Sequence, residues 1–406
     1  MSTKNKTTES GSTFWAAYKS EFKVAIIVTI ITTIFALAGG NFIMGLFSPI
    51  SGNSDFQFSD LYCKVANKLE DNPNSRNITI IATDSLIERE HLAEAIDFIG
   101  QFGPKVLGID IHFAQPQDSL SDLMLISALS SCNCNLVFPN PLYQNEFGHI
   151  QEDQKTFLSP FLSNASYGAT NYTINSNWGP TRKFETSFDG EFEAFPSFAS
   201  EIARIVNEDQ HYALLARNVK YERTWEYINY IVSQGFDTRV LTLQDISDPD
   251  KYADYEHLIK NRIVLLGDIY NPNDMHTTPY DKAVAGIYIH AHALDTILQG
   301  AYYQEIPKAL LYIISIICCL LFTSFSLALK ESHKEVSGLV IRITQAVLML
   351  LIYWIGCELY LQQIYFDPVV LILMIVAIPF TSDIYQGAKG LYHNIIRELK
   401  KRLKEN

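Results

Sequence analysis

Residues 105–113, KVLGIDIHF, read as one buried strand with a polar end. Val106, Leu107 and Ile109 give an apolar run of the kind that suits a strand covered on both faces. Asp110 and His112 follow, two apart, and so share a face of an extended chain. Gly103-Pro104 stands directly before the run and stops whatever precedes it. Upstream, 77–83 (NITIIAT) is a second run of this kind and ends at Asp84-Ser85. Between the two, residues 86–102 have helical spacing, with Leu92, Ala95, Ile96 and Ile99 on one face. Downstream, Asp118-Ser119 can cap a helix that runs to about Leu129, and 135–139 (NLVFP) is a third strand. Strand, helix, strand, helix, strand predicts an α/β domain with a mainly parallel sheet and right-handed crossovers.

Residues 140–192 are polar, aromatic and rich in turn residues, and predict an insertion of short antiparallel strands. A helix is expected over 196–205 with Pro196 at its start. A strand is expected over 225–232 and a buried one over 263–267 (IVLLG). Residues 286–292 (GIYIHAH) read as extended and lead into a helix from Ala293 to Leu298.

Composition says what lies around this domain. Hydrophobic residues make up 48% and charged residues 18%, below the roughly 25% usual for soluble chains. The apolar surplus collects in four segments near the length that crosses a bilayer. The expected layout is a tail at 1–21, spans at 22–48, 308–329, 336–360 and 365–385, an outer domain at 49–307 and a basic amphipathic helix at 386–406. Lys4, Lys6, Lys19 and Lys23 precede the first span, Lys330, Lys334 and Arg342 follow the second, and Lys389, Arg397, Lys400, Lys401, Arg402 and Lys404 follow the fourth. Positive residues stay inside, which predicts both termini in the cytoplasm and the large domain outside. That domain holds about 35 acidic against 17 basic residues, so the net charge of −13 belongs to it. Such acidity favours solubility and argues against binding nucleic acid or anionic lipid. The apolar run continues past Ala36-Leu37-Ala38, which favours a retained anchor over a cleaved signal peptide. The outer compartment permits disulfides, and Cys63 can pair with Cys132 or Cys134, leaving one thiol.

Several segments together resemble the extracellular sensory domain called CHASE (cyclase/histidine-kinase-associated sensing extracellular), in its type-two subclass. They are the strand ending at Asp84-Ser85-Leu86, the stretch 103–113 followed by Pro116 and Asp118, the pair Asp189-Gly190 with Phe195-Pro196-Ser197, and 262–268 followed by Asp274, Thr278-Pro279 and 286–291. One span before the domain and three after it are similar to that family as well. The resemblance implies a bacterial inner-membrane sensor whose last span usually leads into a kinase or nucleotide cyclase. Here about 20 residues follow Ile384. Output is therefore expected from a separate effector or envelope protein, or from a homo-oligomer.

Ligands of open parallel sheets bind outside the carboxyl ends of the strands. That rule picks out Asp84, Asp110, His112 and Asp268, the loop residues Asp274 and His276, and His290 with His292, which share a face if the chain there is extended. Such side chains can fix a polar ligand by hydrogen bonds. Asp84 and Asp110 can equally cap the helices that follow them. The sequence contains no G-x-S-x-G, P-loop or H-E-x-x-H. No catalytic residue, metal or cofactor is expected. The leading expectation is a receptor for an unknown small-molecule or protein signal. A structural or assembly subunit of an envelope complex is the second, and an exported hydrolase the third.

Overall fold

The computed structural model describes residues 18–19, 21–38, 57–69, 72–83, 88–152, 156–171 and 179–405, and it divides into residues 63–303 and residues 1–62 with 304–406. The first unit holds a six-stranded sheet of β1 (Ser75–Thr83), β2 (Val106–Ile109), β3 (Asn135–Pro139), β6 (Ala165–Gly168), β11 (Phe236–Val240) and β12 (Ile263–Asp268). Its order is β11-β1-β12-β2-β3-β6, and every neighbouring pair is parallel. The last of these six strands along the chain, β12, is thus wedged between the first two.

Helices cover both faces, which is why the central strands are apolar throughout. Leu107, Ile109, Val264 and Leu266 pack with α3 (Arg89–Gln101), α4 (Ser119–Ser131) and α8 (Tyr252–Ile259), the last preceded by the short α7 (Leu243–Ser247). The residues of opposite parity face α5 (Phe198–Val206) and α9 (Gly286–Leu298), with α6 (Glu208–Tyr221) beside them. Space on that side is tight. A Cβ on Gly168 would come within 2.6 Å of the Phe198 backbone, so only glycine lets α5 lie against β6. Asp295 on α9 is fully buried and accepts hydrogen bonds from Ser75, Ser233 and Gln299. Those bonds tie α9 to the start of β1.

The helix expected over 86–102 forms as α3, and Asp118 caps α4 by accepting from the amides of Leu120 and Ser121. The expected insertion contains antiparallel pairs, β4 (Leu142–Gln144) with β5 (Ile150–Glu152) and β8 (Ser187–Asp189) with β9 (Ala194–Pro196). A third pair joins β7 (Lys183–Glu185) to β10 (Trp225–Tyr227). Several expectations need correction. The strand expected over 105–113 is only β2, and β6, inside the expected insertion, joins the main sheet in parallel. Pro196 lies in β9, and Ser197 rather than proline opens α5 by accepting from the Ser200 amide. The strand expected over 225–232 is only β10. Residues 286–292 are helical from the start, being the first half of α9.

On β10, Glu226 is fully buried between Arg217 (Nε to Oε1, 3.0 Å) and Arg223 (Nη2 to Oε2, 2.8 Å). The Arg223 guanidinium also lies 4.0 Å over the Trp225 ring.

The second unit carries four helices long and apolar enough to cross a membrane: α1 (Glu21–Ala38), α10 (Lys308–Ser332), α11 (Lys334–Leu361) and α12 (Val369–Glu405). Large apolar side chains such as Ile34, Ile317, Leu350 and Phe380 point outward, as a lipid-facing surface requires. Helix α12, in the stretch expected as the last span, begins at Val369, because Asp367 accepts from the Val369 amide and Pro368 suits a helix start. It continues without a break into the expected basic amphipathic segment. A short parallel pairing of β15 (Gln304–Glu305) with β16 (Ile364–Tyr365) lies at one end. On α2 (Phe58–Leu69), Tyr62 packs against Gly356 and the rings of Tyr353 and Tyr360. No disulfide joins any of the six cysteines, all of which are described.

Removing Glu226 leaves two guanidinium groups without their buried counter-charge. Glu226→Ala should cost on the order of 3 kcal/mol, read as a lowered melting temperature of the full chain in detergent, with Glu226→Gln losing less. A melt unchanged from wild type contradicts this account of the contact.

Candidate functional site

Because all six strands are parallel, their carboxyl ends lie at one edge of the sheet. β12 ends there at Asp268, whose Oδ1 accepts from the Tyr270 amide at 2.7 Å. Its Oδ2 is enclosed and has no hydrogen-bond partner among the described residues. Asp110 follows β2, with its amide donating to the Leu266 carbonyl at 2.8 Å. A Cβ on Gly267 would meet the Asp110 Cβ at 3.3 Å, so the glycine lets the two strand ends close up.

The loop after β12 brings in the next group. It crosses a short antiparallel pair, β13 (Met275–His276) with β14 (Val284–Ala285), and returns to the start of α9. Asp274 Oδ2 accepts from the Gly286 amide at 3.1 Å, and its Oδ1 lies 3.2 Å from His276 Nε2. A carboxylate on an amide at a helix start is favoured both by the hydrogen bond and by the helix dipole. Gly286 is needed for the approach, since a Cβ there would lie 2.6 Å from Oδ2. His290 sits one turn further along α9, buried against Phe198.

These four groups sense one another. Burial first, and then the Asp274 carboxylate, push Asp110 up to about 7, while His276 pulls it back. Burial lowers His290 to about 4, against the pull of Asp274 and with the help of His276. The arrangement therefore offers acceptor oxygens, an imidazole and a carboxyl group that exchanges a proton near neutrality. It can hold a ligand that donates hydrogen bonds or carries positive charge. Among the described residues no three His, Cys, Asp or Glu side chains converge as they would on a metal ion.

The structure thus brings together Asp110, Asp274, His276 and His290, with Asp268 on the adjoining strand end. Three candidates remain. His112 is exposed beyond the end of β2, and Asp84 lies outside the described residues. His292 does not share a face with His290, because two residues on a helix turn through about 200°. It is enclosed by Phe236, Tyr230 and Tyr280, at ring distances of 4.8, 5.0 and 6.2 Å, and burial lowers it to about 3. Its Nδ1 has no partner among the described residues. The two glycines that permit the cluster, Gly267 and Gly286, were missed as site residues. Each stands beside an acidic candidate or at the head of an apolar segment, which is the available sequence signal.

Fold and edge define a class, an open parallel α/β domain carried on apolar helices. Within that class the chain belongs to the CHASE2 domain family, whose match runs over residues 31–325, well over half its length. CHASE2 domains are extracellular sensory domains. No curated protein and no solved structure matches the chain.

The shifts fix a dependence on pH. His290 and His292 lie below the ordinary histidine value of 6.5, so their share of stability is present above about pH 6.5 and is lost as pH falls toward 4 and 3. Asp110 lies above its ordinary 3.8, so its share is full below that value and is lost as pH rises through about 7. Between about pH 4 and 6.5 two histidines oppose one aspartate, and their combined share rises with pH by about one proton. Asp110→Asn removes the opposing share and should steepen the rise by up to one further proton. Denaturant midpoints of the full chain across that window check it. An unaltered slope would show that Asp110 titrates as it does in the unfolded chain.

Proposed function

We propose that the chain is a membrane-anchored sensor module. Its large domain lies outside the plasma membrane of a bacterium, in the periplasm, with both termini in the cytoplasm. An extracytoplasmic signal binds at the carboxyl edge of the sheet, and the spans relay the bound state to a separate partner. The observation that carries the reading is the cluster of Asp110, Asp274, His276 and His290 at the head of α9, in a domain whose family is sensory. The basic residues beside the spans support the orientation. A signal that donates hydrogen bonds or carries positive charge suits the two carboxylates and the free Oδ2 of Asp268.

A second reading has its own observation. Phe147 and Phe192 on the insertion are 85% and 92% exposed, and a groove of about 170 Å³ between Ile150, Glu152, Phe192 and Phe195 lies beside Glu191 and Glu193. Exposed aromatic side chains of this kind favour protein contact. On that reading the domain docks an envelope component.

Native mass spectrometry of the full chain, purified in mild detergent, separates the two. The sensor reading predicts a retained small molecule that Asp110→Asn and Asp268→Asn lose, with little change in melting temperature. Retention and melting temperature falling together would make both carboxylates structural caps. A retained protein that neither variant releases would favour the docking reading.

A further inference from the structure

Pro379 lies inside α12, within the apolar length of the last span. Proline has no N–H, so the carbonyl four residues earlier loses its helical donor. That carbonyl is Ile375. In a bilayer an unsatisfied carbonyl costs several kcal/mol, because no water replaces the missing bond. The donor comes from another helix: Gln345 on α11 gives its Nε2 hydrogen to the Ile375 oxygen at 2.8 Å. Gln345 is 5% exposed, a buried amide just before the apolar run of residues 346–352 in α11. Its place is explained by the gap that Pro379 opens.

A second polar contact holds the other side of the proline. Thr381 Oγ1 lies 2.6 Å from Thr32 Oγ1 on α1. Thr32 also reaches the Val28 carbonyl at 2.8 Å, and Thr381 reaches the Ala377 and Ile378 carbonyls at 3.1 and 3.2 Å. Two hydroxyls carry two hydrogens between them. Either Thr381 donates to Thr32, which donates to Val28, or Thr32 donates to Thr381, which then donates to its own helix. The hydroxyls of Ser324, Ser326 and Ser382, buried in the same unit, have no partner among the described residues. Past this level the Lys330–Asp383 pair is exposed, and such a pair contributes little.

We propose that Pro379 is a hinge in the last span and that Gln345 is its clasp. While the Gln345 amide holds the Ile375 carbonyl, the two halves of α12 keep one angle. When it lets go, the half from Pro379 onward swings as a lever. That half carries the stripe Leu391, Ile395, Leu399 and Leu403, all exposed. The Thr32–Thr381 contact links the lever to α1. The hinge stands whether or not the outer domain binds a small molecule.

The test needs no ligand. The full chain is reconstituted in phosphatidylcholine vesicles with spin labels at Glu335 and Tyr392, both exposed, attached through ketone-bearing residues so that the native cysteines stay in place. Distance distributions are recorded for wild type, Gln345→Leu, Pro379→Ala and the double variant, together with their melting temperatures in detergent. Gln345→Leu should broaden the distribution and lower the melting temperature. Pro379→Ala restores the helical N–H and should narrow it. In the double variant Gln345→Leu should have no further effect, because α12 then satisfies Ile375 itself, and this variant remains foldable if Gln345→Leu alone is not. Equal effects of Gln345→Leu in both backgrounds would overturn the clasp, and four identical distributions would overturn the hinge.

Discussion

Parallel pairing throughout the six-stranded sheet obliges every strand to release its chain at the same edge. Antiparallel neighbours would scatter Asp110 and Asp268 to opposite ends. Here they leave adjacent strands together, and β12, arriving late in the chain, brings the 271–285 loop in with it. The loop in turn has to meet the head of α9, whose first amide, at Gly286, donates to the Asp274 carboxylate. The site thus follows from strand direction and from one helix start. The same covering of both faces that makes parallel sheets possible leaves little room for Cβ atoms, which is why glycine recurs at 108, 168, 267 and 286.

Much of this was legible in the sequence, for physical reasons. IVLLG and NLVFP are apolar runs because helices cover both sides, and each forms the strand expected of it, whereas KVLGIDIHF, expected as a strand to Phe113, is one only from Val106 to Ile109. Asp118 is followed by exactly spaced amides and caps α4 as a capping residue should. Strand β11 was not foreseen: FDTRV sits at the sheet's outer position, paired on one side only, and keeps a polar pattern. The start of α9 misled for the opposite reason. From Gly286 to Ile297 nearly every residue is buried, so no polar face marks the helical period, and Ile287 with Ile289 imitates a strand. That single misreading placed His290 and His292 on one face. The helix sends the first toward Asp274 and the second into a ring of aromatic side chains.

The coupling among Asp110, Asp274, His276 and His290 was beyond sequence reasoning. Residues 110 and 274 are 164 positions apart, and only the insertion of β12 beside β2 makes them neighbours. The membrane unit has the same character. Pro379 within an apolar run is visible to anyone reading the sequence, but its answering donor, Gln345, becomes visible only once α11 lies beside α12. Both depend on polar contacts between elements that are separate in sequence. A bound state at the edge and a bend in the last span are changes that such sparse, specific contacts can register.

All of this serves a sensor only if the acidic domain faces outward. Cysteine labelling in sealed right-side-out membrane vesicles tests that directly, with a membrane-impermeant maleimide on Phe192→Cys in the domain and Leu403→Cys near the end of α12, both highly exposed positions. The account predicts labelling of position 192 in sealed vesicles, and of 403 only after they are opened. Labelling of 403 in sealed vesicles, with 192 protected, would contradict it.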